Sequence, residues 1–161
     1  MSEVDAQIDG RELSDADLYA RHAGELVRFA TVLVGPCGAD DLVAEAVARV
    51  VAHPSWPTVQ ERRAYLYRAV LNEARHQERA RFRRRRREEL AAERERVDAL
   101  DVRPEVLAAV RSLAPRQRAV VFFTYWQDRT TSDIAAELGI TPRTVQRELA
   151  KARLKLEDAL R

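Results

Sequence analysis

Thr130-Thr131-Ser132-Asp133-Ile134-Ala135-Ala136-Glu137-Leu138-Gly139-Ile140-Thr141-Pro142-Arg143-Thr144-Val145-Gln146-Arg147-Glu148-Leu149 contains two helix starts and the turn between them. Thr130 and Asp133 have the spacing of a capping box, in which two side chains satisfy the free N–H groups of a helix start. Gly139 tolerates the left-handed backbone that ends a helix. Thr141 is a good N-cap, and Pro142 suits the first helical position, where its missing N–H is harmless. Ile134, Leu138, Ile140, Val145 and Leu149 then meet as one core. Arg143, Thr144, Gln146 and Arg147 are left on the outer face near the start of the second helix, the end that enters a DNA major groove in a helix-turn-helix. A three-helix core with a solvated polar face would carry the same caps, so the rest of the chain must decide between them.

Composition narrows the choice. The chain has 161 residues, 34% charged and 46% apolar, with five Gly and six Pro. That suits one helix-rich domain or two small ones. No apolar run approaches membrane-spanning length, so no membrane insertion is expected. The start, Met1-Ser2-Glu3-Val4-Asp5, is acidic and has no secretory core. The single Cys37 cannot form an intramolecular disulfide and fits a reducing cytoplasm. It sits in Gly35-Pro36-Cys37-Gly38, read here as a loop.

Net charge is only +2, but it is unevenly spread. Residues 1–56 balance at −6, 57–87 at +8, 88–103 at −3 and 104–161 at +3. Two basic blocks flanking an acidic one suggest two nucleic-acid contacts joined by a connector. Arg79-Ala80-Arg81-Phe82-Arg83-Arg84-Arg85-Arg86-Arg87 holds seven arginines in nine residues. Such density repels itself unless a polyanion is near, and guanidinium forks suit phosphates. A solvated helix end or a partner for the acidic connector is the alternative, and nucleic acid is the favoured reading of the run. Trp56, Tyr65 and Tyr67 lie near this segment. Aromatics beside arginines are what unstacked single-stranded bases need, although Tyr65 or Tyr67 could equally be core. Trp56, between two prolines, is the better stacking candidate.

Helical periodicity predicts helices from Ser14 or Asp15 to Val34, Asp40 to Ala52, Gln60 to Arg87 or beyond, Pro104 to Leu113 and Pro115 to Gln127, followed by the helix-turn-helix running to Leu160. The fold class is therefore all-α: two small helical domains joined by a charged connector, the C-terminal one a helix-turn-helix. The expected divisions are 14–87, 88–103 and 104–161. Asp41 and Glu45 share a helix face. With Asp40 they suit a helix start or a protein-contact surface better than a metal site, because none of His22, His53 and His76 has ligand spacing to them. No metal, cofactor or catalytic constellation is expected, and an enzyme is not the reading.

Several motifs in order resemble the bacterial RNA polymerase sigma factors. Asp40-Asp41-Leu42-Val43-Ala44-Glu45-Ala46-Val47-Ala48-Arg49-Val50 is similar to their second conserved region. Ala64-Tyr65-Leu66-Tyr67-Arg68-Ala69-Val70-Leu71-Asn72 with the arginine run resembles their promoter-melting helix. Leu113-Ala114-Pro115-Arg116-Gln117-Arg118-Ala119-Val120-Val121, the helix-turn-helix and Ala150-Lys151-Ala152-Arg153 resemble their fourth region. Size and a short connector point to the extracytoplasmic-function group. Departures are Ala44 where Gln is usual, Val47 where Phe is common and His76 where an acid is usual.

The resemblance implies a promoter-selecting subunit, cytoplasmic and without a cofactor. Asp41, Leu42, Glu45 and Arg49 would contact the clamp helices of core RNA polymerase. Trp56, Tyr65, Arg68, Asn72, Arg79, Arg83, Arg84, Arg85 and Arg86 would take the minus-10 strand and its backbone. Arg143, Thr144, Gln146, Arg147 and Lys151 would read the minus-35 element, and the C-terminal domain would touch the polymerase flap. Promoter DNA, core polymerase and an anti-sigma factor are the implied partners. The rival readings are a free-standing helix-turn-helix regulator and a polymerase-binding protein that does not read DNA.

Overall fold

The computed structural model describes residues 14–85 and 103–160, and every regular element among them is helical. Arg86 and nearly all of the acidic connector lie outside the described residues. The elements are α1 (Asp15–Val34), α2 (Pro36–Val51), a 3-10 turn (Trp56–Thr58), α3 (Arg62–Arg85), α4 (Pro104–Arg111), α5 (Pro115–Tyr125), α6 (Thr131–Leu138) and α7 (Pro142–Ala159).

Local chemistry starts and stops these helices. Ser14 caps α1 by accepting from Asp17 N–H at 3.2 Å, and Asp15 and Asp17 favour the positive end of the helix dipole. Gly35, at φ 89°, is the only residue between α1 and α2. Its left-handed backbone turns the chain, and Pro36 at once opens the next helix. The expected four-residue loop is therefore a one-residue elbow. Cys37 lies exposed in the first turn of α2, not in a loop. The same glycine and proline that signal a break also signal a helix start.

Helices α1, α2 and α3 pack through Leu26, Phe29, Leu33, Leu42, Val43, Ala46, Leu66, Val70 and Ala74, all buried. Helices α4–α7 pack through Leu107, Val110, Leu113, Val120, Ile134, Leu138 and Val145. The two groups are not apart. Helix α5 lies against α1 and α3, α6 against α3, and α4 against α1. At this seam Phe29 of α1 meets Phe122 and Phe123 of α5 at centroid distances of 5.2 and 5.4 Å, and Tyr67 of α3 meets Phe123 at 5.1 Å. Offset and edge-on aromatic pairs at such distances add to simple burial. One apolar core thus runs through both groups. It explains why Ala119 to Phe123 are all buried: α5 has α7 and α6 on one side and α1 and α3 on the other.

Candidate nucleic-acid and polymerase interface

The helix-turn-helix forms as its sequence dictates. Thr130 Oγ1 accepts from Asp133 N–H at 3.2 Å, and Asp133 Oδ2 accepts from both the hydroxyl and the N–H of Thr130. These bonds hold the Asp133 carboxyl below its usual range. Gly139 adopts φ 64°, ψ 39°, and Ile140 N–H returns to the Ala135 carbonyl at 3.0 Å. Thr141 Oγ1 accepts from Thr144 N–H at 3.2 Å. Val145 is fully enclosed, which fixes the rotation of α7. Arg143, Gln146, Arg147 and Lys151 are exposed, while Thr144 is half-buried with its hydroxyl on Thr141 at 2.9 Å. Arg143, Arg147 and Lys151 stand at four-residue intervals and form one basic outward stripe. Arg147 also lies 3.4 Å from Glu148, an exposed contact of little energy.

A second surface lies between α2 and α3. Ala46, Arg49, Val50, His53, Tyr65, Arg68, Ala69, Asn72, Glu73 and His76 line a depression of about 610 Å³. It gathers three of the expected strand-binding residues: half-buried Tyr65, half-buried Arg68 and exposed Asn72. The Arg68 guanidinium sits 5.9 Å from the Tyr65 ring centroid, a cation–π geometry, and its Nε donates to the Ala64 carbonyl at 3.3 Å. Sequence reasoning missed His53 and Glu73. Only helical spacing could have suggested Glu73, since it follows Arg68 and Ala69 around α3, and no local pattern marks His53.

Two expected contacts take other roles. Trp56 is 4% exposed, and its Nε1–H donates to Asp15 Oδ1 at 2.8 Å. Its ring lies 5.2 Å from the Arg62 guanidinium and 6.1 Å from Tyr65. It anchors the α2–α3 loop to the start of α1 and offers no free face to a base. Leu42 is fully enclosed, so it supports α2 from within and presents nothing to a partner. Tyr67, the other aromatic weighed for stacking, is core.

Asp41 and Glu45 do lie exposed on α2, one turn apart. Glu45 pairs with Arg49 at 2.9 Å, and Arg49 also donates to the buried Glu73. Arg49 therefore joins the acidic face to the depression. Arg79 is exposed near the end of α3. Arg83, Arg84 and Arg85 close that helix, and their side chains, like Arg86, lie outside the described residues. Among the described residues no cluster of His, Cys, Asp or Glu could hold a metal ion, and no helix is long and apolar enough to cross a membrane.

Comparison with known proteins matches this arrangement. Residues 103–156 match the family described as Sigma-70, region 4. The chain is 32% identical to the RNA polymerase sigma-E factor of Streptomyces coelicolor, over 92% of this chain and 88% of that protein. It is 30% identical to the protein of that name from Streptomyces antibioticus, over 94% and 87%. The fold is similar to the sigma factor RpoE of Bartonella quintana, solved with the anti-sigma factor NepR, at a TM-score of 0.68 and 21% identity, covering 90% of this chain and 95% of that one. It is also similar to CnrH, solved with the cytosolic domain of CnrY, at a TM-score of 0.57 and 26% identity, covering 94% and 90%.

Proposed function

Because this chain belongs to the bacterial RNA polymerase sigma factors, in the extracytoplasmic-function group, we propose that it binds core RNA polymerase and selects promoters through two separate DNA-reading surfaces. The observation that carries this is the presence, in one chain, of an outward basic recognition stripe on α7 and a polar, aromatic depression on α3. A free-standing helix-turn-helix regulator needs only the first.

The division of labour follows residues 14–87 and 104–161, with 88–103 joining them. Asp41 and Glu45 dock on the polymerase clamp helices, with Arg49 holding Glu45 in place. Tyr65, Arg68 and Asn72 take unstacked bases of the minus-10 strand, while Arg79, Arg83, Arg84, Arg85 and Arg86 neutralise its phosphates. Arg143, Gln146, Arg147 and Lys151 read or clamp the minus-35 element, where Arg favours guanine and Gln favours adenine. Thr144 contributes through the cap of the recognition helix.

The chain itself performs no bond chemistry; polymerase does. It works in the cytoplasm, where polymerase is. An anti-sigma factor controls it, a reading supported by one structural relative solved with an anti-sigma factor and another solved with a partner's cytosolic domain. Run-off transcription with core polymerase and a promoter library tests this. Promoter-specific transcripts that require both chain and core are expected; specific DNA binding without core would favour the free-standing regulator.

A further inference from the structure

We propose that the cavity lined by α1, α3, α4, α5 and α7 binds a nucleoside polyphosphate, its phosphates on a cationic rim and its base against an apolar wall.

The cavity measures about 1000 Å³, at the upper end of the about 300–1,000 Å³ usual for small-molecule sites. It shares no lining residue with the depression of Tyr65, Arg68 and Asn72. Leu33 and Val34 of α1, Ala74 of α3 and Leu113, in the turn before α5, form its apolar wall. Arg79 and Arg81 of α3, Arg111 of α4, Arg118 of α5 and Lys155 of α7 bring five cations to it. Among the described residues Glu78 is the one carboxylate in the lining.

That carboxylate is already engaged. Arg118 donates to Glu78 at 3.0 Å, to the Arg111 carbonyl at 2.6 Å and to the Leu33 carbonyl. These two carbonyls lie at the ends of α4 and α1, whose negative dipole ends would repel an anion. Arg118 covers both. No other carboxylate of the lining is left for Arg79, Arg81 and Lys155, all of them exposed. The guanidiniums are also crowded. Burial pulls Arg118 below its ordinary value; Glu78 works against this, and the nearby Arg111 and Arg81 add to it. A bound polyanion relieves that repulsion.

The two faces of the cavity select the ligand. Guanidinium forks take phosphate oxygens in pairs, and an ammonium adds a point charge. Cations contributed by separate helices suit a chain of phosphates. A single phosphate would reach one or two of them and leave the rest in mutual repulsion. The apolar wall suits a flat ring, which an inorganic anion would leave wet. Gln77 and Ser112 add polar groups to the lining: an amide that donates and accepts, and a hydroxyl oxygen whose proton goes to the Ala109 carbonyl at 2.7 Å. Such groups read the edge of a base. A bound polyphosphate would also compete with the minus-10 backbone for Arg79, a consequence that rests on the function proposed above; the binding itself does not.

Isothermal titration calorimetry of the full chain with ATP, GTP and inorganic tripolyphosphate, at physiological salt, tests the site. One ATP or GTP should bind per chain, and tripolyphosphate should bind at least about 10-fold more weakly, since it buries no ring. Ala108→Trp fills the cavity from an exposed position of α4 without changing charge, and Lys155→Glu reverses one rim cation on α7. Each should weaken ATP at least about 10-fold, with helix content by circular dichroism unchanged. Equal affinity for ATP and tripolyphosphate overturns the nucleotide. ATP binding that neither variant moves belongs to the arginine run at the end of α3 and overturns the site. Absence of ATP and GTP binding overturns the proposal as well; if binding then appears once Glu88, Glu89, Glu93 and Glu95 are changed to Gln, the acidic connector is the occupant instead. Core polymerase and promoter DNA enter none of these titrations, so a failure of the promoter-selecting function is read separately, by run-off transcription.

Discussion

Arg49 of α2 donates to Glu73 of α3, and through its other amine it pairs with Glu45 at 2.9 Å. Glu73 is 4% exposed, whereas Glu45 is open to solvent. A single guanidinium therefore connects the face proposed to meet polymerase with the depression proposed to take the minus-10 strand. Arg49→Ala strands a buried carboxylate and should destabilise the chain by about 1–3 kcal/mol. Urea unfolding measures this. A loss near zero would mean that water serves Glu73 equally well.

Polymerase docking is tested on the same helix. Asp41→Arg with Glu45→Arg should weaken core binding at least about 10-fold, equivalent to about 1.4 kcal/mol. Stability should change by less than about 1 kcal/mol, because exposed ion pairs such as Glu45–Arg49 contribute little. Titration of labelled chain with core polymerase checks the first expectation, and urea unfolding the second. Equal affinity of variant and parent would remove Asp41 and Glu45 from the interface.

The arginines at the end of α3 are proposed to act through charge. Replacing Arg83, Arg84, Arg85 and Arg86 by Ala should lower holoenzyme affinity for all promoters alike, since phosphate contacts position the protein and do not specify sequence. The slope of log affinity against log salt should shrink by roughly 0.7–0.9 for each phosphate that is no longer neutralised. A salt slope that stays the same would assign these arginines to a protein surface.

On the recognition helix, Gln146→Ala and Arg147→Ala should each relax preference at one or two upstream base pairs, by about 1–3 kcal/mol of discrimination. Minus-10 preference should be unaffected. Selection from a randomised promoter library reads both. If each variant selects the parent's upstream element, α7 touches only phosphates there.

Acid should loosen the helix-turn-helix through Asp133. Its carboxyl titrates below the ordinary value of 3.8 in the folded chain, so its stabilising contribution is complete above that value. It is lost as pH falls through the lower folded value. Asp133→Asn keeps an acceptor for the cap but not the charge. Its melting temperature should therefore depend less on pH below about 4 than the parent's does. Thr130→Ala should cost about 1 kcal/mol at neutral pH, the usual worth of an N-cap. Parallel acid limbs for parent and Asp133→Asn would show that the cap gains nothing from ionisation.

Much of this molecule is legible residue by residue. Ser14, Thr130, Thr141 and Gly139 act on backbone groups three or four positions away, Pro142 acts at its own position as the first residue of α7, and that information is local. So is the placement of Arg143, Gln146 and Arg147 outside and Val145 inside, because helical periodicity ties each to the others. Asp41 and Glu45 are readable for the same reason. The misreadings share a different cause. Trp56 between prolines suggests exposure, but its partner Asp15 is 41 positions away. Gly35-Pro36 suggests a loop because its residues are equally suited to ending one helix and starting another.

The helices, their caps and the outward face of the helix-turn-helix follow from the order of residues, because hydrogen bonds and periodicity within a few turns govern all three. The shared core of the two halves does not; it emerges when the helices pack. The unbroken run Val120-Val121-Phe122-Phe123 has no one-sided pattern because α5 is covered by its own half and by Phe29 and Tyr67 of the other. The pairings of Arg63 with Glu137, 74 positions on, and of Arg118 with the Leu33 carbonyl, 85 positions back, follow from the same packing. Long-range partners are chosen by which surfaces meet, and burial of aromatic area at the seam, not any local motif, sets that choice.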